Sequence, residues 1–329
     1  MPLLLGQPAE HVRQISSLRR HGGPDLIHVR PTTRRGETDR MDLEHFRVEL
    51  TGYCYRMLGS GFEAEDAVQE TFVRAWRSSY DDQRASLRTW LYRIATNVCL
   101  DMLRSAQRRA LAIDLSPAAS LGADLGEPAP DSAWVQPVPD LRVLPEDSAV
   151  MRESIRLAFI AALQHLPPKQ RAVLILRDVL CWQASEVAEL LDTSVASVTS
   201  ALQRARAALP AVPGEALDSS QAELLERYCA AFESHDVPGL VALLHEDATM
   251  TMPPFVWWLQ GSGDIAAAFA TDACEGARLT PARANGSPAF WQLRDGRHFG
   301  LVVLDIRDNR IAGLTTYLNA AALLPLFSS

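Results

Sequence analysis

Lysine is almost absent from this 329-residue chain: Lys169 stands alone against 31 arginines. That bias carries the mark of a GC-rich coding sequence and says little about function. Paired cysteines are absent as well. Cys54, Cys99, Cys181, Cys229 and Cys274 lie far apart with no CxxC spacing. This excludes a dense disulfide framework and points away from structural zinc, toward buried thiols in a reducing cytoplasm. No apolar run reaches roughly 18 residues, so no membrane-spanning helix is expected. The opening MPLLLGQPAEHVRQ has neither the basic n-region nor the long apolar h-region of a signal peptide. Neither a metal nor a cofactor is expected.

A net charge of -8 excludes a uniformly basic nucleic-acid binder. The charge is unevenly spread, however. Residues 71–109 hold eight arginines against three acids, and 151–213 are net +2. Between them, 110–150 carry seven acids and one arginine, and 214–329 are net -7. Local patches, not the total, make the footprint for nucleic acid.

The length predicts two or three domains. Residues 1–40, rich in Arg, Pro, Gly and His, show no period and are expected to be a disordered extension. The helical pattern begins at Met41, which makes Met41 an alternative start to Met1. Residues 41–109 read as an all-helical domain, and 110–150, with six prolines among the acids, as a linker rather than an element. A second helical domain spans 151–209, a Pro/Gly linker 210–219, and a mixed helix–strand domain 220–329.

The richest stretch is 166–209, LPPKQRAVLILRDVLCWQASEVAELLDTSVASVTSALQRARAAL. It reads as a four-helix run ending in a helix-turn-helix. Residues 183–191 place Ala184, Val187, Ala188 and Leu191 on one helical face. Asp192 to Ser194 form a turn, and Ser194 caps the next helix. In 195–209 the apolar residues Val195, Val198, Leu202, Ala205 and Leu209 form the inner stripe. Ala196, Ser197, Ser200, Gln203 and Arg204 face outward. Small and polar residues let a helix sit in a major groove, where Gln and Arg reach bases and phosphates. A packed helical hairpin without such a role would show the same inner stripe.

In the first helical domain, 63–76 carries the apolar stripe Ala64, Ala67, Val68, Thr71, Phe72 and Ala75, with acids in its first turns as the helix dipole favours. Residues 78–86 read as a loop. In 87–104, Leu91, Ile94, Ala95, Val98 and Met102 face inward, while Arg93, Thr96, Asn97 and Arg104 face out. Trp90 and Tyr92 sit among the arginines. Arginines hold phosphates and aromatics stack on unpaired bases, although a core tryptophan at position 90 fits the spacing as well.

These strings carry a family resemblance. GFEAEDAVQETFVRAW followed by LRTWLYRIATNVCLDMLR resembles region 2 of an extracytoplasmic-function (ECF) bacterial sigma factor, and 166–209 resembles its region 4. Together they cover 41–209. The resemblance implies that the 63–76 helix docks on the β′ clamp of core RNA polymerase, with Asp66, Gln69, Glu70, Phe72 and Arg74 in the contact, and that the β flap is also a partner. It implies that 78–109 opens and reads the -10 promoter element, with Arg88, Trp90, Arg93, Thr96, Asn97 and Arg104 at the DNA. The 195–209 helix then reads the -35 element through Ser197, Thr199, Ser200, Gln203 and Arg204. The linker in such factors passes near the polymerase cleft, where its acids can mimic nucleic-acid charge. Trp134 to Asp140 resemble a WxxPxPD element of the subgroup with an extra C-terminal domain.

In that C-terminal domain, helices are expected over 221–234, 237–244 and 262–269, and strands over 248–252, 278–284, 288–293, 298–306 and 310–318. Turns fall at Asn285-Gly286, Asp295-Gly296 and Asp308-Asn309, giving helices on a curved antiparallel sheet. HEDATMTMPP, NGSPAF and the last strand resemble a SnoaL-like cone. Phe255, Trp257, Trp258 and Phe290 are candidates to line a pocket for a small molecule, with core packing as the plainer role. His245, Asp247 and His298 are the candidate acid–base groups. The overall expectation is a cytoplasmic, non-enzymatic sigma factor with two all-α domains and an α+β cone acting as a regulator in cis. A polymerase-independent helix-turn-helix regulator, or a SnoaL-like enzyme fused to a DNA-binding module, is the alternative.

Overall fold

In a computed structural model of the chain, residues 43–83, 85–104, 108–120, 122–144, 149–209, 219–271 and 275–328 are described. The expected extension over 1–40 and the linker at 210–218 lie outside the described residues. No described helix is long and apolar enough to cross a membrane.

The first helical domain is built on the helices Arg47–Leu58, Gly61–Arg77 and Leu87–Met102. Serines start the second and third: Ser60 accepts from the Glu63 amide and Ser86 from the Thr89 amide. Gly59 closes the first, with φ of 74° and its amide bonded to the Tyr55 carbonyl. The second domain carries Leu157–Gln164, Pro168–Leu174 running into a π-turn at Ile175–Val179, then Ala184–Leu190 and Val195–Ala208. Val198, Leu202 and Ala205 are buried, as the period requires.

These two domains are not separate bodies. Tyr53, Leu91 and Tyr92 of the first and Ile160, Leu174 and Trp182 of the second belong to one apolar cluster. Two buried arginines join them. Arg56 donates to Gly52 O and Ser154 Oγ, each at 2.7 Å. Arg171 donates to Gln164 Oε1 at 2.6 Å and to the Met57 carbonyl. Neither has a carboxylate partner among the described residues, and burial pulls each guanidinium down to about 10.

The expectation of a plain linker over 110–150 is corrected. Its described part holds single helical turns at Ala112–Leu115, Asp131–Ala133 and Asp140–Val143, and Trp134, Val135, Val138 and Val143 are buried. The prolines prevent a long helix, but the apolar residues between them wedge into the core. Arg109 fixes the segment by donating to the Asp131 and Trp134 carbonyls and pairing with Glu63 at 2.6 Å.

The C-terminal domain packs the helices Ser219–Glu233, Val237–Ala242 and Ser262–Phe269 on a six-stranded sheet of order β2-β1-β6-β5-β4-β3. The strands are β1 Leu244–Thr251, β2 Trp258–Gln260, β3 Arg278–Ala284, β4 Ser287–Arg294, β5 Arg297–Arg307 and β6 Arg310–Tyr317. This is the expected cone, with one correction: β6 lies parallel to β1, so the sheet is mixed. The hairpin series β3 to β6 starts at the far edge and returns beside β1 in the same direction. All three turns have left-handed residues at both central positions, the type I′ geometry that matches strand twist. The inner face, with Met250, Phe290, Val302, Leu304 and Leu314, is buried under the domain's own helices. The outer face, with Ala289, Trp291, Leu301, Val303 and Tyr317, joins the cluster of the two helical domains. A final helix, Ala320–Phe327, covers β5.

Candidate nucleic-acid and polymerase interface

On the Gly61–Arg77 helix, Asp66 and Gln69 are exposed. Glu70 accepts from Arg74 at 2.7 Å, and Arg74 also reaches Asp101 at 3.3 Å, so this charged pair is half-engaged. Phe72 is corrected: it is 2% exposed, beneath the Arg47 guanidinium. Position 72 belongs to the inner stripe with Val68 and Ala75, so its ring is core. Trp76, 53% exposed, extends the outward face and was not singled out by sequence.

The Leu87–Met102 helix presents Arg93 and Asn97 to solvent, with exposed Arg104 just past its end. Trp90 is half-buried and stacks with Tyr80 at 5.2 Å. These residues recur at helical spacing, giving a basic and aromatic stripe suited to phosphates and unstacked bases. Thr96 is corrected: it is fully buried, sharing a 2.7 Å hydrogen bond with Tyr53 and donating to the Tyr92 carbonyl. Arg88 is also engaged. It donates to Glu49 and lies over the rings of Tyr92 and Trp182, 5.1 and 5.2 Å away. Trp182 belongs to the second domain, so the inner side of the -10 candidate helix is gripped by the helix-turn-helix unit.

On Val195–Ala208, Ser197, Thr199, Gln203 and Arg204 are exposed and Ser200 is half-buried. Ser194 accepts from the Ser197 amide, capping the helix as expected. Arg204 donates to Ser200 at 2.6 Å, and Arg206 pairs with Asp178 at the helix's far end. The outward face is polar and unblocked by any described element.

In the cone, the four candidate pocket residues are held by packing and by the connecting segment. Trp257 and Phe290 are core, 8% and 4% exposed. Trp258 donates its indole N–H to the Ser116 carbonyl at 2.9 Å, and Phe255 packs against the core and pairs through its backbone with Pro128. The candidate acid–base groups do not converge. His298 is exposed, edge-on to Trp291, while His245 accepts from the Asp247 amide beside exposed Asp247.

Sequence reasoning missed the clasp where the parts meet. At the β3–β4 turn, Asn285 is fully buried. Its amide group donates to Tyr55 Oη at 2.6 Å and to the Ile155 carbonyl at 2.7 Å, touching both helical domains. Its Oδ1 and backbone N–H bond Val138 on both sides at 3.0 Å. The next residue, Gly286, has φ of 66°, and a Cβ there would lie 2.6 Å from the Arg152 carbonyl. The Gly286 amide donates to Asp140 at 2.7 Å, and Arg283 donates to the other Asp140 oxygen at 3.2 Å. Burial pushes the Asp140 carboxyl up, opposed by these partners. Tyr317 donates to the Val135 carbonyl, and Arg156 pairs with Asp305 at 3.3 Å. The sequence offered Asn285 only as a turn residue and Asp140 only as the end of WxxPxPD.

Comparison with known proteins matches two family models, Sigma-70 region 2 over residues 43–109 and Sigma-70, region 4 over 156–209. The ECF RNA polymerase sigma factor SigG of Mycobacterium tuberculosis is 39% identical over 99% of this chain and 92% of its own length. SigJ of the same organism is 33% identical over 64% of this chain and 63% of its own. SigW of Bacillus subtilis is 34% identical over half of this chain and 82% of its own. The crystal structure of M. tuberculosis extracytoplasmic function sigma factor SigJ superposes with a TM-score of 0.57 at 25% identity, covering 87% of this chain and 98% of that one. With both sigma regions in order and a relative matching along nearly its whole length, the chain belongs to the extracytoplasmic-function family of RNA polymerase sigma factors, as a polymerase-binding member that carries a C-terminal SnoaL-like cone.

Proposed function

We propose that this sigma factor places core polymerase on a promoter through three separate faces, and that its C-terminal cone holds the chain closed until polymerase or DNA opens it. Asp66, Gln69, Glu70 and Arg74 meet the β′ clamp, while the second helical domain serves the β flap. Trp90, Arg93, Asn97 and Arg104 take the melted -10 strand, with Arg88 released to join them once the domains part. Ser197, Thr199, Ser200, Gln203 and Arg204 read the duplex at -35.

The observation that carries the closed-state reading is the Asn285 clasp together with the shared core. The elements named -10 and -35 lie about 25 base pairs apart, roughly 85 Å of duplex at about 3.4 Å per pair. The Tyr92 and Trp182 rings stand 5.1 Å apart, one from each DNA-reading domain. Two domains packed that closely cannot address both elements at once, so promoter binding requires separation. Separation in turn exposes the outer face of the cone's sheet. The cone therefore acts in cis on sigma activity, and its acidity favours docking beside the arginine-rich segments. Regulation rather than catalysis is its role.

Run-off transcription with core polymerase and a promoter library tests this reading. The full chain should bind core and select a defined promoter, and Asp66→Arg with Glu70→Arg should reduce core binding at least tenfold. A chain that binds duplex DNA but fails to retain core polymerase in a pull-down would leave a polymerase-independent regulator instead.

A further inference from the structure

A cleft beside the clasp matches neither the DNA faces nor the cone interior. It encloses about 650 Å³ and lies between Pro139–Leu144 of the connecting segment and β3, β4 and the last helix of the cone. That volume is within the range of small-molecule sites. We infer that it binds an organic carboxylate with an aromatic or alkyl body, and that the bound carboxylate draws Arg283 away from Asp140, loosening the clasp.

The apolar wall is the Trp291 and Phe327 pair, edge-to-face at 5.1 Å, with Leu144 and Pro281 beside it. Leu141 stands at the mouth 83% exposed, far more than any other large apolar side chain among the described residues. Apolar surface gathered in a concavity is stabilised by an apolar ligand group. The polar wall holds Arg152 and Arg283 against Asp140 alone. Arg283 gives Asp140 only its Nε, leaving both terminal nitrogens without partners among the described residues. Arg152 has no ion pair among them either. Two guanidinium groups with spare planar donors favour a carboxylate over a point anion.

The coupling follows from shared atoms. Asp140 accepts from Arg283 on one oxygen and from the Gly286 amide on the other. A ligand carboxylate that recruits Arg283 removes the cation that holds Asp140 against the turn. By linkage, opening of the clasp, which frees Arg283, strengthens ligand binding by the same factor. This consequence rests on the closed-state reading, but binding itself does not, and the test needs no polymerase.

The probe is anilinonaphthalene sulfonate, an aromatic monoanion, titrated by fluorescence into the full chain. One site is expected, displaced by decanoate and not by inorganic phosphate. Ala282→Trp, which fills the cleft, and Arg152→Glu with Arg283→Glu should each weaken dye binding at least tenfold. Arg152→Gln, at an exposed position that leaves the fold intact, should weaken it about threefold. Unchanged binding in Arg152→Gln and Ala282→Trp, or displacement by phosphate as readily as by decanoate, would overturn the site. Saturating decanoate should also speed amide exchange at Gly286 at least threefold, and unchanged exchange would overturn the coupling.

Discussion

The two faces of the C-terminal sheet carry similar apolar side chains and bury them against different partners. Alternate residues of β5 make the point. Val302 and Leu304 enter the cone under its own helices, whereas Leu301 and Val303 face the helical domains. The inner face is closed mainly by the helices of the domain that owns it, with Ala119 and Leu125 of the connecting segment packed beside them. The outer face is closed by chain segments that must move if both promoter elements are to be reached. A sheet that used both faces for its own core could not serve as a removable clamp. The two joins also differ in their polar contacts. Apolar burial, worth about 25 cal/mol per Å², holds both faces. Asn285, Asp140, Tyr317 and Arg156 add directional bonds at the outer one, while on the side of the cone's own helices Glu233 accepts from the Leu279 amide at 2.9 Å.

Substitutions at adjacent residues of β5 should separate the two faces most strongly. Leu304→Asp places a charge inside the cone and should unfold that domain, seen as loss of its cooperative melting transition. Val303→Asp, one residue away, should leave the cone folded and undock it. An unpaired charge in that interface costs about 3 kcal/mol or more. Limited proteolysis should then cut the connecting segment at least tenfold faster. Equal unfolding by both would show that the two faces are not separable.

Gly286→Val should have an intermediate effect. The new side chain meets the Arg152 carbonyl and needs a left-handed backbone that a β-branched residue resists, a cost of about 1–3 kcal/mol. Because the clasp belongs only to the outer face, run-off transcription should change while the promoter choice does not. A changed promoter preference would mean that the turn shapes DNA reading directly.

The smallest effect is expected farthest from the sheet. Gln203→Ala with Arg204→Ala should spare core binding and the closed state. Each base-specific hydrogen bond that the pair removes should lower -35-dependent transcription by the equivalent of about 1–3 kcal/mol. Equal loss of core binding would join the -35 face to the polymerase interface and break the separation of roles.

Much of this architecture was legible in the sequence because local rules sufficed. The serine cap at Ser194, the 3.6-residue period and the Asn-Gly, Asp-Gly and Asp-Asn turns all act over a few residues. Ala320–Phe327 escaped because AAALLPLF is apolar on every side and shows no period. The parallel β1–β6 pairing escaped because it depends on where the hairpin series lands. The burial of Trp134 to Val138 and of Asn285 depends on surfaces supplied from far along the chain. Thr96 shows the converse, since its place beside outward-facing arginines suggested DNA contact while Tyr53, 43 residues upstream, claims its hydroxyl. The candidate DNA faces could be read from one helix at a time, but the clasp could not.

Amide hydrogen exchange at Asn285 and Val138, in the free chain and in its complex with core polymerase, tests the closed-state account most directly. Both amides are bonded across the join. They should be strongly protected in the free protein and should lose at least tenfold of that protection in the complex, while Val302 and Leu304 stay protected. Full protection of Asn285 and Val138 in a complex that initiates transcription would contradict it.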